Sequence, residues 1–169
     1  MKVVDTERLR LRWLTEEDAG FMLELLNDPG YIQFIGDRGV KTEEEARKFL
    51  LNGPIKMYHE HGIGLYVVER KKDGALLGIC GLIKRNGLED IDIGFAFLEQ
   101  FRGQGYGFEA AEAVLDYGKN VKRLKRIVAI TTKDNESSTK LLEKIGLRFE
   151  TYVTLPNDTE ELKLLSIEF

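Results

Sequence analysis

Residues 102–107, Arg102-Gly103-Gln104-Gly105-Tyr106-Gly107, put glycine at every second position just ahead of a helical pattern. Glycine lets main-chain N–H groups approach a ligand with no Cβ between them. A helix start adds unpaired N–H groups and the positive end of the helix dipole. Together these make a site for a phosphate or pyrophosphate, and Arg102 at the entrance strengthens it. No Gly-Lys-Ser/Thr ending follows, which removes the P-loop version of such a site. His59 and His61 flank Glu60, but no cysteine or acid cluster supplies metal-ligand spacing, so no metal is expected.

The elements around this loop can be read from periodicity. Ile91, Ile93, Phe95 and Phe97 alternate as a strand with one buried face, and Ala110, Ala111, Val114 and Leu115 recur at helical spacing. Leu9, Leu11 and Trp13 alternate with arginines as a first strand. Thr15 opens a helix that Asn27-Asp28-Pro29-Gly30 stops, and residues 31–39 are ambiguous, apolar at Tyr31, Ile32, Phe34 and Ile35 but with Gly36 and Gly39 suggesting a mobile loop. Thr42 with Glu45 forms a capping box for a second helix, which Gly53-Pro54 ends or kinks. Strands at 65–69 and 76–83 are joined at Asp73-Gly74, and Asn86-Gly87 leads into the glycine-loop strand. Residues 127–130 form an apolar run expected to be buried on both faces. A helix follows from about Ser138 to Gly146. The last two strands start at Leu147 and Leu162, with a bulge expected in the final one, where the phase shifts between Leu164 and Leu165. Hairpins make the middle strands antiparallel, and a helical crossover makes the glycine-loop strand parallel to 126–131. Hairpins ahead of that strand do not suit a βαβ dinucleotide fold.

The chain has 169 residues, with 43% hydrophobic and 32% charged, the composition of one soluble globular domain over 1–169. No apolar run approaches membrane length and no signal peptide is visible. A single cysteine, Cys80, reads as buried core and fits a reducing cytoplasm. The net charge of −4 argues against nucleic acid and suits cationic substrates.

Arg102-Gly103-Gln104-Gly105-Tyr106-Gly107 fits the Arg/Gln-x-x-Gly-x-Gly/Ala signature of the GCN5-related N-acetyltransferase (GNAT) superfamily. Asn135-Glu136-Ser137-Ser138, Leu141 and Glu143-Lys144-Ile145-Gly146-Leu147 resemble its second cofactor motif. Thr6-Glu7-Arg8-Leu9-Arg10-Leu11-Arg12 resembles the opening of the ribosomal-protein N-terminal acetyltransferase branch (RimJ/RimL type). The resemblance implies an α/β (α+β mixed-sheet) fold ordered β-α-α-β-β-β-α-β-α-β-β. Its sheet is mostly antiparallel, with one splayed parallel pair that admits the pantetheine arm of acetyl-CoA.

The resemblance also implies the roles. Gly103, Gln104, Gly105, Tyr106 and Gly107 with Arg102 would hold the pyrophosphate, and Phe97 and Leu98 would offer backbone N–H to the thioester carbonyl and the arm. Asn135 would hydrogen-bond the arm. Asp92 stands where the branch often carries glutamate. It lies on the face opposite Ile93 and Phe95, beside small Gly94 and Ala96, and is the first candidate for the base, directly or through water; Glu89 and Asp90 are weaker ones. The usual tyrosine acid is replaced by Leu142, which leaves Ser138, four residues earlier on one helix face, to meet the leaving sulfur. Lys119, Lys122, Arg123, Lys125 and Arg126 read mainly as a solvated helix end, with contact to the cofactor's 3′-phosphate as a lesser reading. The acceptor would be a primary amine, on a peptide N-terminus or a small molecule, shaped by residues 27–40. The rival is a non-catalytic acyl-CoA sensor of the same fold. Oligomeric state is open between monomer and homodimer.

Overall fold

The computed structural model describes residues 1–169. Strand β1 (Lys2–Asp5) precedes β2 (Leu9–Trp13), then come helices α1 (Ala19–Leu26), α2 (Pro29–Phe34), α3 (Glu43–Asn52) and α4 (Pro54–His61). Strands β3 (Leu65–Arg70), β4 (Leu76–Ile83) and β5 (Asp92–Phe97) lead to α5 (Tyr106–Asn120). β6 (Arg126–Thr131), α6 (Glu136–Lys144), β7 (Arg148–Val153) and β8 (Leu162–Glu168) finish the chain. The eight strands form one mixed sheet in the order β1-β2-β3-β4-β5-β6-β8-β7. Only β5 and β6 run parallel, and they share a single pairing, Asp92 with Val128.

Three local readings are revised. β1 was not foreseen: four residues with only two half-buried valines give little periodic signal. Asp28-Pro29 does not simply stop the first helix; it starts α2. The Asp28 carboxylate accepts from the N–H groups of Gly30 (3.0 Å) and Tyr31 (3.2 Å), and proline suits the first helical position. The expected bulge in β8 lies in β7 instead, where Glu150 is the extra residue between Phe149, opposite Leu165, and Thr151, opposite Leu164. Both faces of β8 are covered, Leu165 by the cluster that holds α5 and Leu142 and Leu164 by the one that holds Leu88 and Val128, so both leucines are buried with no break in the pairing to β6.

Two apolar layers sandwich the sheet. On one face, Cys80, Leu82, Ile93, Ile127 and Ala129 pack with Ala110, Ala111 and Val114 of α5 and Leu142 of α6. On the other, Val67 and Ile79 pack with Met22, Leu25, Leu26, Ala46 and Leu50 of α1 and α3. Gly78 lets β4 and β5 close up: an added Cβ would come within 2.3 Å of the Ala96 carbonyl oxygen. Beyond the α1–α4 layer, Val128 and Ile130 of β6 pack instead with Leu88, Val153, Leu155 and Leu164. The sheet face between these two patches is left open.

Candidate active site

A cavity of about 890 Å³ opens where β5 and β6 diverge. Its walls come from α2, the α3–α4 bend, β4, β5, the glycine loop, the end of β6, α6 and the β7–β8 loop. Strand geometry fixes which backbone groups face it. The Leu98 N–H donates to the Leu77 carbonyl (2.9 Å) and the Val128 N–H donates to the Ile91 carbonyl (3.0 Å). Alternate residues of a strand point their N–H and C=O to opposite sides. Ile93, Phe95 and Phe97 therefore turn toward β6, and Val128 and Ile130 turn toward β5. Past the Asp92–Val128 pairing, the backbone of Phe95 and Ile130 and the N–H of Phe97 face the gap. Leu98 does not: its N–H is already used by β4, which corrects the pairing of Phe97 and Leu98 as joint donors. Phe95 was missed, though the same alternation that marks Phe97 selects it.

Arg102 also departs from expectation. Its Nε (3.0 Å) and Nη2 (2.7 Å) donate to the Phe97 carbonyl, and Nη2 forms an ion pair with buried Asp28. Arg102 is therefore a brace between the glycine loop, the end of β5 and α2, and its charge is already matched. Burial opposes ionisation of Asp28. The Arg102 guanidinium and the N–H groups of Tyr31 and Glu99 outweigh it and hold the carboxyl below its usual range. Gly103 and Gly105 have φ of +75° and +83°, in the left-handed region that favours glycine. Gly103, Gly105 and Gly107 all line the cavity, ahead of and within the first turn of α5.

Asp92 is 1% exposed and lines the cavity. It shares its face of the sheet with Gly94 and Ala96, and the latter packs toward the α1–α3 layer. Arg85, beyond the end of β4, donates to both carboxylate oxygens, from Nε (3.4 Å) and Nη2 (3.2 Å). Burial pushes the Asp92 carboxyl above its usual range, and Arg85 only partly offsets this. Arg85 had no sequence signal, because the β4–β5 hairpin alone brings it onto Asp92. Of the two weaker candidates, Asp90 is ion-paired with Arg126 at 3.0 Å, and neither it nor Glu89 lines the cavity.

Across the gap, Asn135 caps α6: its Oδ1 accepts the Ser138 N–H at 3.2 Å. Its side-chain amide has no acceptor within the protein, so the capping and ligand-binding roles are compatible. Ser138 is half-buried on the cavity wall and its hydroxyl is unpaired within the protein. Leu142, one turn on, is 1% exposed in the core beneath α5. The basic cluster read as a solvated helix end contributes no side chain to the cavity wall. Arg126 is tied to Asp90, Glu150 and Glu168, and Lys119 lies over Phe169. The cations on the wall are instead Arg38, Arg85, Arg102, Lys140 and Lys144.

The acetyltransferase (GNAT) domain family model matches residues 8–148, a stretch that includes Asp92, the glycine loop, Asn135 and Ser138. The chain belongs to the GNAT acetyltransferase family. It is 31% identical over 147 residues to the uncharacterized N-acetyltransferase YnaD of Bacillus subtilis (strain 168), spanning 87% of this chain and 83% of that protein. A GNAT-family acetyltransferase from Bacillus anthracis superposes with a TM-score of 0.80 at 28% identity, covering 99% of this chain and 98% of its own. RimL, a ribosomal L7/L12 α-N-protein acetyltransferase in complex with coenzyme A, superposes with a TM-score of 0.85 at 18% identity, covering 100% and 98%. GNAT acetyltransferases use acetyl-CoA. No His, Cys, Asp or Glu cluster of metal-binding geometry is present, and no helix is long and apolar enough to cross a membrane.

Proposed function

We propose that this chain moves an acetyl group from acetyl-CoA to a primary amine, with Asp92 as the base and Ser138 beside the leaving sulfur. The observation that carries this reading is the placement of a buried carboxylate and an unpaired hydroxyl on opposite walls of one cavity, with unpaired strand backbone between them. When bound, acetyl-CoA supplies the acetyl group as an activated thioester.

The chain's own groups then divide the work. The glycine loop and the start of α5 receive the pyrophosphate. The gap-facing backbone of Phe95, Phe97 and Ile130 offers the donors and acceptors that a missing strand would have used, and the pantetheine amides match them. The Phe97 N–H is the donor aimed where the thioester oxygen gains charge. The Asn135 side-chain amide donates to the arm. Asp92 takes the amine proton directly or through one water. Its raised pKa suits this task better than a fully exposed aspartate would, since a base with a very low pKa accepts a proton poorly. The Ser138 hydroxyl meets the leaving thiolate, whose conjugate acid has a pKa near ~8.5 and needs little help.

The acceptor enters beside α2 and the α3–α4 bend, where Tyr31, Phe34, Phe49 and Met57 line an apolar wall with Arg38 at its edge. Both a peptide N-terminus and a small amine fit this reading, and the fold neighbour RimL acts on an α-amine. The test is a screen of peptides and small amines with acetyl-CoA, following free thiol. Turnover with any primary amine supports an enzyme and names the acceptor class. Coenzyme A binding without turnover across the screen supports the sensor instead.

A further inference from the structure

We propose that Arg8, 96 residues before Gln104 of the glycine loop in sequence, is a positioning residue that makes the loop receptive to the cofactor's pyrophosphate. The inference rests on the acetyl-CoA reading above. Arg8 lies in the turn between β1 and β2, outside every expected site. Its Nη1 donates to the carbonyl of Gln104 at 3.1 Å, its Nε donates to the Glu109 carboxylate at 2.7 Å, and its backbone N–H donates to the same carboxylate at 2.9 Å. The guanidinium carbon lies 4.3 Å over the Tyr106 ring. The remaining nitrogen, Nη2, donates to nothing in the protein and lies 3.2 Å from where a Cβ on Gly105 would stand. One side chain thus touches Gln104, Gly105, Tyr106 and Glu109, which are the loop and the first turn of α5.

The charges explain why the clamp is needed. Glu109 places a carboxylate in the first turn of α5, and the Thr6 hydroxyl also donates to it. Burial opposes its ionisation, but Thr6 and Arg8 prevail and hold its carboxyl below the usual range. A standing negative charge at a helix start favours the helix dipole but repels an incoming pyrophosphate. Arg8 cancels that charge on the spot. Arg102, the cation first expected here, cannot do so because it is committed to Asp28 and the Phe97 carbonyl. Arg8 therefore does two things: it holds the Gln104 carbonyl back from the anion site, and it neutralises Glu109.

The test is calorimetric titration of the parent, Arg8→Ala, Glu109→Gln and the double variant with coenzyme A, at two salt concentrations. Arg8→Ala should weaken binding about tenfold to a hundredfold, the order of cost of leaving an uncompensated like charge near an anion site at intermediate dielectric. Glu109→Gln alone should bind at least as tightly as the parent. The double variant should regain several-fold over Arg8→Ala, since the exposed carboxylate has gone. The loss on Arg8→Ala should shrink at high salt. If Arg8→Ala does not fold, Arg8→Gln, which keeps part of the stem over Tyr106, carries the same series. A parent that binds coenzyme A while the Arg8 variant binds it equally well overturns this inference alone. A loss that Glu109→Gln does not repair and salt does not alter makes Arg8 merely structural and overturns it too. A parent that does not bind coenzyme A overturns the cofactor reading, and this inference with it.

Discussion

Replacing Asp92 with asparagine removes one charge and keeps the shape of the site. Its carboxyl is 1% exposed and raised in pKa, by burial first, with Arg85 opposing. A carboxyl raised in the folded state disfavours folding once pH exceeds that pKa, and stability grows as pH falls back through it. The neutral amide lifts that penalty but weakens the Arg85 contacts, so stability near neutral pH should stay within about 1 kcal/mol of the parent. The catalytic loss should be far larger, about 10²–10⁴ in turnover at pH 7, or about 3–5 kcal/mol. The parent rate should rise with pH through an apparent pKa above the ordinary aspartate range, and this limb should vanish in Asp92→Asn. The variant should instead follow the free amine. With an α-amine of pKa near ~8, about a tenth is neutral at pH 7, and the rate should level off near pH ~9. With an alkylamine of pKa near ~10.4, it should climb about tenfold per pH unit up to about pH 10. The profile therefore also reports the acceptor class. Thiol release is a clean readout, because the lone protein thiol, Cys80, is fully buried and its pKa is raised by burial alone. A variant profile that overlays the parent refutes the assignment of Asp92 as base.

Ser138→Ala should lower turnover about tenfold to a hundredfold with little change in coenzyme A affinity, since the hydroxyl acts as the sulfur leaves; full turnover where chemistry limits the rate would leave solvent as the proton source. Gly105→Val forces a β-branched residue to φ +83° and drives its side chain toward Arg8. It should abolish coenzyme A binding by calorimetry in a protein that circular dichroism shows to be folded. Asp28→Asn keeps a helix cap but loses the Arg102 pair, and should cost about 1–2 kcal/mol at pH 7, discounted because Arg102 is partly exposed. The folded pKa of Asp28 lies below its unfolded value, so its contribution is present above about pH 4 and is lost as pH falls further. Acid titration of Tm should thus fall more steeply below pH 4 in the parent than in Asp28→Asn, and equal slopes would contradict the pairing.

Local signals served the sequence reading best where one short motif decides one feature. Asp73-Gly74 and Asn86-Gly87 do mark the β3–β4 and β4–β5 connections, and the Thr42–Glu45 box does start α3. The place of Asp92 on the cavity side of β5 was legible, because alternation with Ile93 and Phe95 puts it on the opposite face from theirs. The misses are contacts made across the chain. Arg102 looked like an anion ligand because its partner, Asp28, lies 74 residues earlier. Asp28-Pro29 is ambiguous in sequence, since the same pair can end one helix or cap the next. Arg8 looked like the wet side of a strand, because nothing in residues 6–12 points to Glu109.

The gap between β5 and β6 lies inside the sheet, between two strands whose outer edges are each held by a full ladder. β5 pairs with β4 over its whole length, from Asp92 opposite Ile83 to Phe97 opposite Gly78, and Leu98 adds one more bond. β6 pairs with β8 from Arg126 to Thr131. Each strand is thus anchored in its own half of the sheet, and beyond the Asp92–Val128 pairing the two halves do not pair. Unpaired buried backbone is costly, and the strands meet that cost unequally. The Phe97 carbonyl is satisfied by Arg102, while Phe95, Ile130 and the Phe97 N–H are left toward the cavity. What remains is a row of donors and acceptors that an extended, amide-bearing arm can complete. Because Arg102 contacts the Phe97 carbonyl and Asp28 at once, α2 on the acceptor side and the glycine loop on the cofactor side are joined through one side chain. A variant that frees Arg102 should therefore disturb acceptor and cofactor affinity together, and a change confined to one of them would show that the two sides are positioned independently.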